Sequence, residues 1–247
     1  MSTAAKYLYA IVPANPELLD MPLGIQDQPL GVLIHKKVML IISDLAQHKI
    51  RPERKNLAAH QTVLSHLIHN YPSLLPMQFG MIAANTSTAK KILTQHYASI
   101  NEKLLELAGK IEMELKVSWD VPNVFDYLIA QHAVLQEARD KLLNKASHLV
   151  TRDEKIEIGV LVSQILEKER VEHTETIKSM LSNSCDDIIQ NPCRNEKEIM
   201  NLACLVSRKK QADFDSKIDE LAQFLDDNFL IKYTGPWPPH NFSRLNL

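Results

Sequence analysis

Glycine and cysteine are scarce in this chain of 247 residues, which has 6 glycines and 3 cysteines. The sequence contains no Gly-rich loop of the kind that cradles nucleotide phosphates, and no G-x-S-x-G nucleophile motif. Cys185, Cys193 and Cys204 are an odd number without C-x-x-C spacing. They predict reduced thiols rather than a disulfide framework or a zinc site. The sequence therefore gives no positive case for an enzyme, for catalytic residues or for a cofactor.

Neither sign of charge is in excess, because 28 Lys and Arg face 30 Asp and Glu, for a formal net charge of −2. Such a chain has no global basic field, so we expect neither nucleic acid nor a membrane as a partner. Long hydrophobic runs are also missing. Residues 7–14 suit a buried first strand better than a signal segment, and residues 38–42 are too few to span a bilayer. We therefore expect a cytoplasmic location.

What is present is the composition of a folded protein, with 45% hydrophobic and 23% charged residues. For residues 1–109 the pattern predicts an α+β N-terminal domain. A strand over 6–12 is followed by a hairpin that turns at His35-Lys36-Lys37. Helical spacing follows over 53–70 and 88–108, with a short, bent strand around Pro76 between them and Gly109 at a helix C-cap position.

For residues 110–247 the pattern predicts a second domain. Residues 111–119 alternate between apolar and polar side chains, as in a strand with one buried and one wet face. A helix capped by Asp120 is expected to reach about His148, and a capping box of Thr151 and Glu154 starts another towards Leu181. Strands over 186–190 and 198–208, a helix over 213–227 and a strand over 229–233 follow. Without the inserted helices at about 151–181, the order is β-α-β-β-α-β, the ferredoxin-like arrangement.

Three histidines lie on the first predicted helix: His60, His66 and His69. His66 and His69 have an i, i+3 spacing that metal ligands sometimes use, but no HExxH glutamate or nearby Cys or Asp cluster accompanies them. Packing or a hydrogen bond is the expected role of His60, and no metal site is predicted.

Three stretches of sequence form a recognisable set. The chain ends in YTGPWPPHNFSRL from Tyr233 onward, where the prolines exclude a helix and favour an extended, polyproline-like tail that carries Trp237. Residues 56–80 contain NLAAHQTVLSHL and LLPMQFG, and residues 201–223 read NLACLVSRKKQADFDSKIDELAQ. Together they resemble the gas vesicle GvpF/GvpL family over nearly the whole chain.

The resemblance implies an accessory or minor structural protein of gas vesicles, the hollow protein shells that give some aquatic microbes buoyancy. Its implied partners are the hydrophobic major shell subunit and other gas vesicle accessory proteins, and no catalytic activity is implied. Gln78, Met81 and His240 depart from the family pattern. The family-motif positions predicted to serve protein interaction are His60, Pro76, Phe79, Gly80, Gly235, Pro236, Trp237, Pro238, Pro239 and Phe242.

Two alternatives stay open from the sequence alone. Trp237 and Phe242 either fold back onto an apolar sheet face or form part of a docking strip with a pre-ordered backbone. The whole protein could instead be a small-molecule-sensing α+β regulatory protein, since ferredoxin-like domains host many functions. The same fold occurs in RNA-binding domains, but the candidate strands lack the aromatics that such domains stack on bases.

Overall fold

A computed structural model describes residues 4–15, 21–46, 48–145 and 151–244 of the chain. These residues form nine strands in two sheets and seven α-helices, a mixed α+β fold as the sequence predicts. Two compact units divide the chain. The first unit holds Met1–Met113, Leu205–Gln211 and Gly235–Leu247, and the second unit holds Glu114–Cys204 and Ala212–Thr234.

The sheet of the first unit is built around its first strand. Its five strands are β1 (Ala5–Pro13), β2 (Leu30–His35), β3 (Val38–Leu45), β4 (Leu75–Pro76) and β5 (Ile82–Ala83), in the order β2-β3-β1-β4 with β5 also paired to β1. All these pairs are antiparallel. The predicted hairpin is confirmed: Lys36, at its turn, has a φ of 52°, and His35 pairs with Val38.

Three helices of the first unit contact β1: α1 (Arg54–Asn70), α2 (Thr86–Gln95) and α3 (Tyr97–Glu106). The single helix predicted over 88–108 is wrong, because His96 leaves the helical region at φ −111° and ψ 19°. The apolar spacing hid this break, since Leu93, Ile100 and Leu104 are buried on either side of it. β1 is buried from Ala5 to Val12, which makes it the centre of this core.

The second sheet contains β6 (Lys110–Trp119), β7 (Asp187–Asn191), β8 (Glu198–Ser207) and β9 (Phe229–Trp237), in the order β7-β8-β6-β9. The accompanying helices are α4 (Val124–Gln131), α5 (Ala133–Leu143), α6 (Arg152–Leu181) and α7 (Gln211–Phe224). Helix α7 packs on β9 through a ring contact of 5.9 Å between Phe214 and Tyr233.

Two details of the predicted helices in this region need correction. The capping residue of α4 is Asn123, whose side chain accepts hydrogen bonds from the backbone N–H groups of Phe125 and Asp126, and not Asp120. One helix to about His148 was expected, but His132 separates α4 from α5, and His148 itself lies outside the described residues. The Thr151–Glu154 capping box at the start of α6 is confirmed.

The polar face of β6 is less exposed to solvent than the alternation of apolar and polar residues predicts. Glu112 is buried, with 6% of its surface exposed, while Glu114, Lys116 and Ser118 are half-buried. A buried carboxylate requires hydrogen-bond donors, and those of Glu112 come from a distant part of the chain that alternation alone does not reveal.

The predicted domain boundary at Gly109 differs from the division between the two units. The division falls inside β6, after Met113, and also inside β8 and β9, so residues 205–211 and 235–247 return to the first unit. The boundary at Gly109 stays a prediction. No helix in the described part of the chain is long and apolar enough to cross a membrane.

Candidate functional site

Aromatic rings from β1, α1 and the loop after β4 meet in the first unit. Tyr7 and Tyr9 lie two residues apart on one face of β1, with ring centroids 4.9 Å apart. The His60 imidazole of α1 stacks on Tyr9 with an interplanar angle of 21° at 5.7 Å, and Phe79 meets it edge-on at 5.8 Å. We call Tyr7, Tyr9, Ser43, His60 and Phe79 the histidine–tyrosine cluster.

A chain of hydrogen bonds runs through this cluster. The backbone N–H of Gly80 donates to Tyr7 Oη at 3.0 Å, and Tyr7 Oη lies 3.0 Å from His60 Nδ1. The Tyr7 phenol can accept from Gly80 and still donate its own hydrogen to Nδ1, in the His60 tautomer that carries its hydrogen on Nε2. Gly80 has a φ of +89°, a conformation that favours glycine. The motif loop, defined here as residues 76–80, is thus tied to β1 and α1.

Tyr9 anchors a second loop. Its Oη accepts a hydrogen bond from the backbone N–H of Ile25 at 2.8 Å and lies 3.0 Å from Ser43 Oγ of β3. Gly24 approaches so closely that a Cβ there would lie 2.3 Å from Tyr9 Oη. The segment before β2 is therefore held against the cluster by one hydroxyl.

Burial sets the ionisation of this cluster. Burial, with a smaller contribution from nearby His240, lowers the pKa of His60 to about 4, although a backbone hydrogen bond to Met77 opposes this. Burial raises the pKa of Tyr7 to about 12. Both groups are therefore neutral at pH 7, with their polar atoms engaged in hydrogen bonds. The arrangement gives His60 the packing and hydrogen-bonding contacts expected from the sequence.

The C-terminal segment, defined here as residues 235–244, is held in the first unit by Glu112. The Glu112 carboxylate accepts hydrogen bonds from the Asn241 backbone N–H at 2.8 Å and from Asn241 Nδ2 at 2.7 Å. Pro238, Pro239 and Phe242 are buried, and His240 is close enough to His60 to affect its pKa. The His60 motif, the motif loop and the tail motif therefore all lie in the first unit.

The tail leaves the sheet later than predicted. Strand β9 continues through Gly235 and Pro236 to Trp237, with a cis peptide bond between Gly235 and Pro236. A proline without an N–H is tolerated there because β9 is an edge strand of its sheet. Gly235 has a φ of +140°, and a Cβ would lie 2.7 Å from Met113 Sδ. Only glycine fits this position.

The predicted interaction residues differ in accessibility. Gly80, Gly235 and Trp237 are exposed, the Trp237 side chain by 37%, whereas Phe79 and Pro236 are half-buried. The rest of the set is buried: His60, Pro76, Pro238, Pro239 and Phe242. Phe242 is buried, as expected if the tail folds back onto the protein. Trp237 is partly exposed, as expected if the tail forms a docking strip.

Sequence reasoning missed several residues that build this region. Tyr7 and Tyr9 could have been found, because an aromatic at i and i+2 of a strand places both rings on one face. Ser43, Glu112 and Asn241 carry no such pattern, since their partners lie far away in sequence. The structure does not draw His69 to His60: its Nδ1 lies 2.6 Å from the Ser65 carbonyl oxygen on the helix surface. Across the described ranges, no group of three or more His, Cys, Asp or Glu is arranged to hold a metal ion.

The comparisons with known proteins agree with the motifs. The family described as "Gas vesicle synthesis protein GvpL/GvpF" matches residues 5–244. The chain belongs to this family. It is 26% identical to gas vesicle protein F of Dolichospermum flosaquae, over 97% of this chain and 98% of that one. Gas vesicle protein F2 of Halobacterium salinarum is also 26% identical, over 100% and 95% of the two chains.

A solved structure supports the same membership. The crystal structure of the gas vesicle protein GvpF from Anabaena sp. PCC7120 superposes with a TM-score of 0.86 at 25% identity, covering 99% of this chain and 100% of that one. The GvpF structure from Microcystis aeruginosa, at 21% identity and a TM-score of 0.84, shows the same fold. The family membership gives this chain a gas vesicle-related role.

Proposed function

We propose that this protein binds the hydrophobic major shell subunit of the gas vesicle and supports vesicle assembly by limiting aggregation of the free subunit. A strongly apolar, strand-forming subunit exposes edges and faces that associate before assembly. A binder lowers the concentration of the free form by mass action. The protein would act as a structural or accessory protein rather than an enzyme, in the cytoplasm and in association with vesicles.

The observation that carries this proposal is the edge strand β2. It lies at the end of the first sheet and, within the described ranges, pairs with β3 alone. Its sequence, LGVLIH, has no proline and no Asp, Glu, Lys or Arg, and Ile34 is 49% exposed. Edge strands usually carry charges or prolines that block pairing, so an apolar edge is a suitable place for strand addition by an apolar partner.

The test is a pull-down of the purified shell subunit, beside an unrelated hydrophobic protein. We expect selective capture by the wild-type chain and capture weakened by about tenfold in Ile34→Lys, which puts a charge on the edge. Leu105→Lys is the matched control, because Leu105 is also exposed, by 70%, but lies on α3, where no strand can add. Equal capture of both hydrophobic proteins contradicts shell binding, and undiminished capture by Ile34→Lys contradicts the edge.

The accessible family-motif residues are proposed to add to this contact. Trp237 offers a partly exposed aromatic ring on a short, proline-flanked backbone, which loses little entropy on binding. Gly80 exposes a turn of the motif loop. The buried motif residues, such as His60 and Phe242, would then act indirectly, by holding these surfaces in place.

The C-terminal region is proposed to be a ferredoxin-like domain with inserted helices. The order β6, helices, β7, β8, α7, β9 supports this, because it becomes β-α-β-β-α-β when α4 and α5 together count as the first helix and α6, at about 151–181, is treated as the insertion. The sheet order β7-β8-β6-β9 also places the first and third strands at the centre.

The alternative, a small-molecule-sensing regulatory protein, stays a prediction. A cavity of about 270 Å³ in the first unit favours it, lined by residues that include Pro13, Lys37 and Leu104. A thermal-shift screen of metabolites would test it, with Leu104→Trp to fill the cavity as control. A ligand that raises Tm in the wild type but not in the filled variant would support this alternative.

A further inference from the structure

An open apolar groove lies between helices α5 and α6 of the second unit. Its volume is about 330 Å³. On α5 it is lined by Val134, Ala138 and Leu142, and on α6 by Ile158 and Leu161. These residues recur every three or four positions, so each helix turns one face towards the groove. The groove is unrelated to the β2 edge, and its features are independent of any binding of the shell subunit.

Helix α5 and the part of α6 before Val162 bury little of their own surface. Leu135 is the one buried residue of α5 among those described, and the first buried residue of α6 is Val162. Val134 is 50% exposed, while Ala138, Leu142, Ile158 and Leu161 are half-buried. Contiguous exposed apolar surface on a folded domain marks an interaction site, because leaving it in water is unfavourable.

The shape of the groove indicates which kind of secondary structure fits it. Two helices that each present apolar residues three or four positions apart leave a trough that a third helix fills with its own i, i+3 or i+4, i+7 side chains. The row from Val134 to Leu142 is about 12 Å long, slightly more than two helical turns. The groove therefore suits an amphipathic helix better than an extended strand.

The charged residues around the groove indicate which residues should lie beside the apolar stripe of that helix. Three carboxylates line the groove, Glu137 on α5 and Glu154 and Glu157 on α6, against one ammonium group, Lys141. Glu154 is paired with Lys145. Glu137 and Glu157 are exposed, on opposite walls, and neither has an ion-pair partner among the described residues. Carboxylates on both sides of an apolar floor complement a helix with Lys or Arg beside its apolar stripe.

We propose that the α5–α6 groove is a docking site for a basic amphipathic helix of a partner protein. The apolar stripe of that helix would lie on the floor of the groove, and its cations would face Glu137 and Glu157. A second copy of this chain fits less well, because its groove would bring the same excess of carboxylates.

The test uses two synthetic peptides of about 18 residues, long enough to exceed the groove when helical. Both carry leucines at i, i+3 or i+4 and i+7, and the flanking positions hold Lys in one and Glu in the other. Binding of each labelled peptide to the full chain is measured by fluorescence anisotropy. We expect the Lys peptide to bind at least about tenfold more tightly than the Glu peptide, a difference that corresponds to roughly 1.4 kcal/mol.

Variants then locate the site. Val134→Glu places a charge on the groove floor and is expected to weaken the Lys peptide about tenfold. Leu143→Glu, on the same helix but outside the lining residues and 73% exposed, is expected to bind like the wild type. Glu157→Lys should weaken the Lys peptide and strengthen the Glu peptide. Far-ultraviolet circular dichroism of each variant shows that it is folded.

Three outcomes would overturn the proposal. Equal binding of both peptides to the wild type would show that the groove does not prefer a basic helix. Equal loss in Val134→Glu and Leu143→Glu places binding elsewhere. A wild-type chain that sediments as a dimer by itself and becomes monomeric in Val134→Glu assigns the groove to a second copy of the chain instead.

Discussion

At the scale of single residues, the first unit depends on a few polar atoms that are buried and paired. Tyr7 forms hydrogen bonds with His60 and with the motif loop. Tyr9 forms hydrogen bonds with strand β3 and with the segment that precedes β2. A buried hydrogen-bond donor or acceptor is costly when it loses its partner, so such residues tolerate substitution poorly although none needs to touch another protein.

His60 should make the stability of the protein depend on pH. Its pKa is about 4 in the folded chain against an ordinary value of 6.5, so the unfolded chain binds the proton more tightly. The stabilisation from the neutral imidazole is fully present above about pH 6.5 and is lost as the pH falls from 6.5 towards 4. Its size is on the order of 3 kcal/mol.

His60→Gln should flatten this part of the curve, as measured by urea unfolding between pH 4.5 and 7. His69→Gln is the control, because His69 lies exposed on the same helix. If His60→Gln keeps the wild-type slope, His60 is not the group responsible for it.

Gly24 should resist even a methyl group. In Gly24→Ala the new Cβ would lie 2.3 Å from Tyr9 Oη and 2.9 Å from Leu30 Cδ2. We expect a loss of about 1–3 kcal/mol in the free energy of unfolding, because the phenol is held by Ile25 and Ser43 and cannot move away without losing its hydrogen bonds. In Gly31→Ala the nearest atom is 3.8 Å away, so this variant should be nearly neutral. Equal stabilities of the two variants would contradict the steric explanation.

At the scale of elements, the C-terminal segment shows how residues beyond the last strand are held in place. Edge strand β9 ends at Trp237, and the buried Glu112 carboxylate of β6 then binds Asn241 through its backbone and its side chain. Such hydrogen bonds to a charged group are stronger than neutral ones.

Asn241→Ala removes the side-chain half of this contact. We expect a loss of about 1–3 kcal/mol in stability. Backbone amides of residues 240–244 should also exchange with deuterium faster than in the wild type, as measured by mass spectrometry. Asn228→Ala, in the turn before β9, serves as a comparison that should leave this exchange unchanged. Wild-type protection of the tail in Asn241→Ala would show that Phe242 and the prolines hold it without Glu112.

At the scale of the whole molecule, the first unit is assembled from three separate stretches of sequence. Arg208, at the end of β8, donates to the carbonyl oxygen of Ile68 in the last turn of α1, and its backbone N–H donates to the Gly109 carbonyl oxygen at 2.8 Å. A cation at the C-terminal end of a helix also complements the helix dipole. Residues from the C-terminal half of the chain therefore help to hold the first unit together.

A fragment of residues 1–109 tests whether Gly109 bounds an independent domain. The fragment lacks Arg208, Glu112 and the C-terminal segment, so we expect it to unfold at a lower temperature, and less cooperatively, than the first unit does in the whole chain. Circular dichroism melts check this, and hydrogen exchange of β1 amides locates the loss. A fragment as stable as the intact unit would support the boundary at Gly109.

Much of the fold was predictable because its cause is local. The β2–β3 hairpin follows from apolar runs around a Lys-Lys turn, and α6 follows from the Thr151–Glu154 box, which satisfies its own backbone donors. The breaks at His96 and His132 were not predictable, since the apolar period continues through both and only the backbone dihedral angles change there.

The sequence by itself determined the α+β class, most strands and helices, and the family, because periodicity, caps and motifs are written in neighbouring residues. Only the tertiary structure decided that Glu112 meets Asn241, that His60 sits between Tyr9 and Phe79, and that the tail and Arg208 complete the first unit. These contacts join residues far apart in the chain, and a buried polar atom takes whichever partner the packing brings within hydrogen-bond distance.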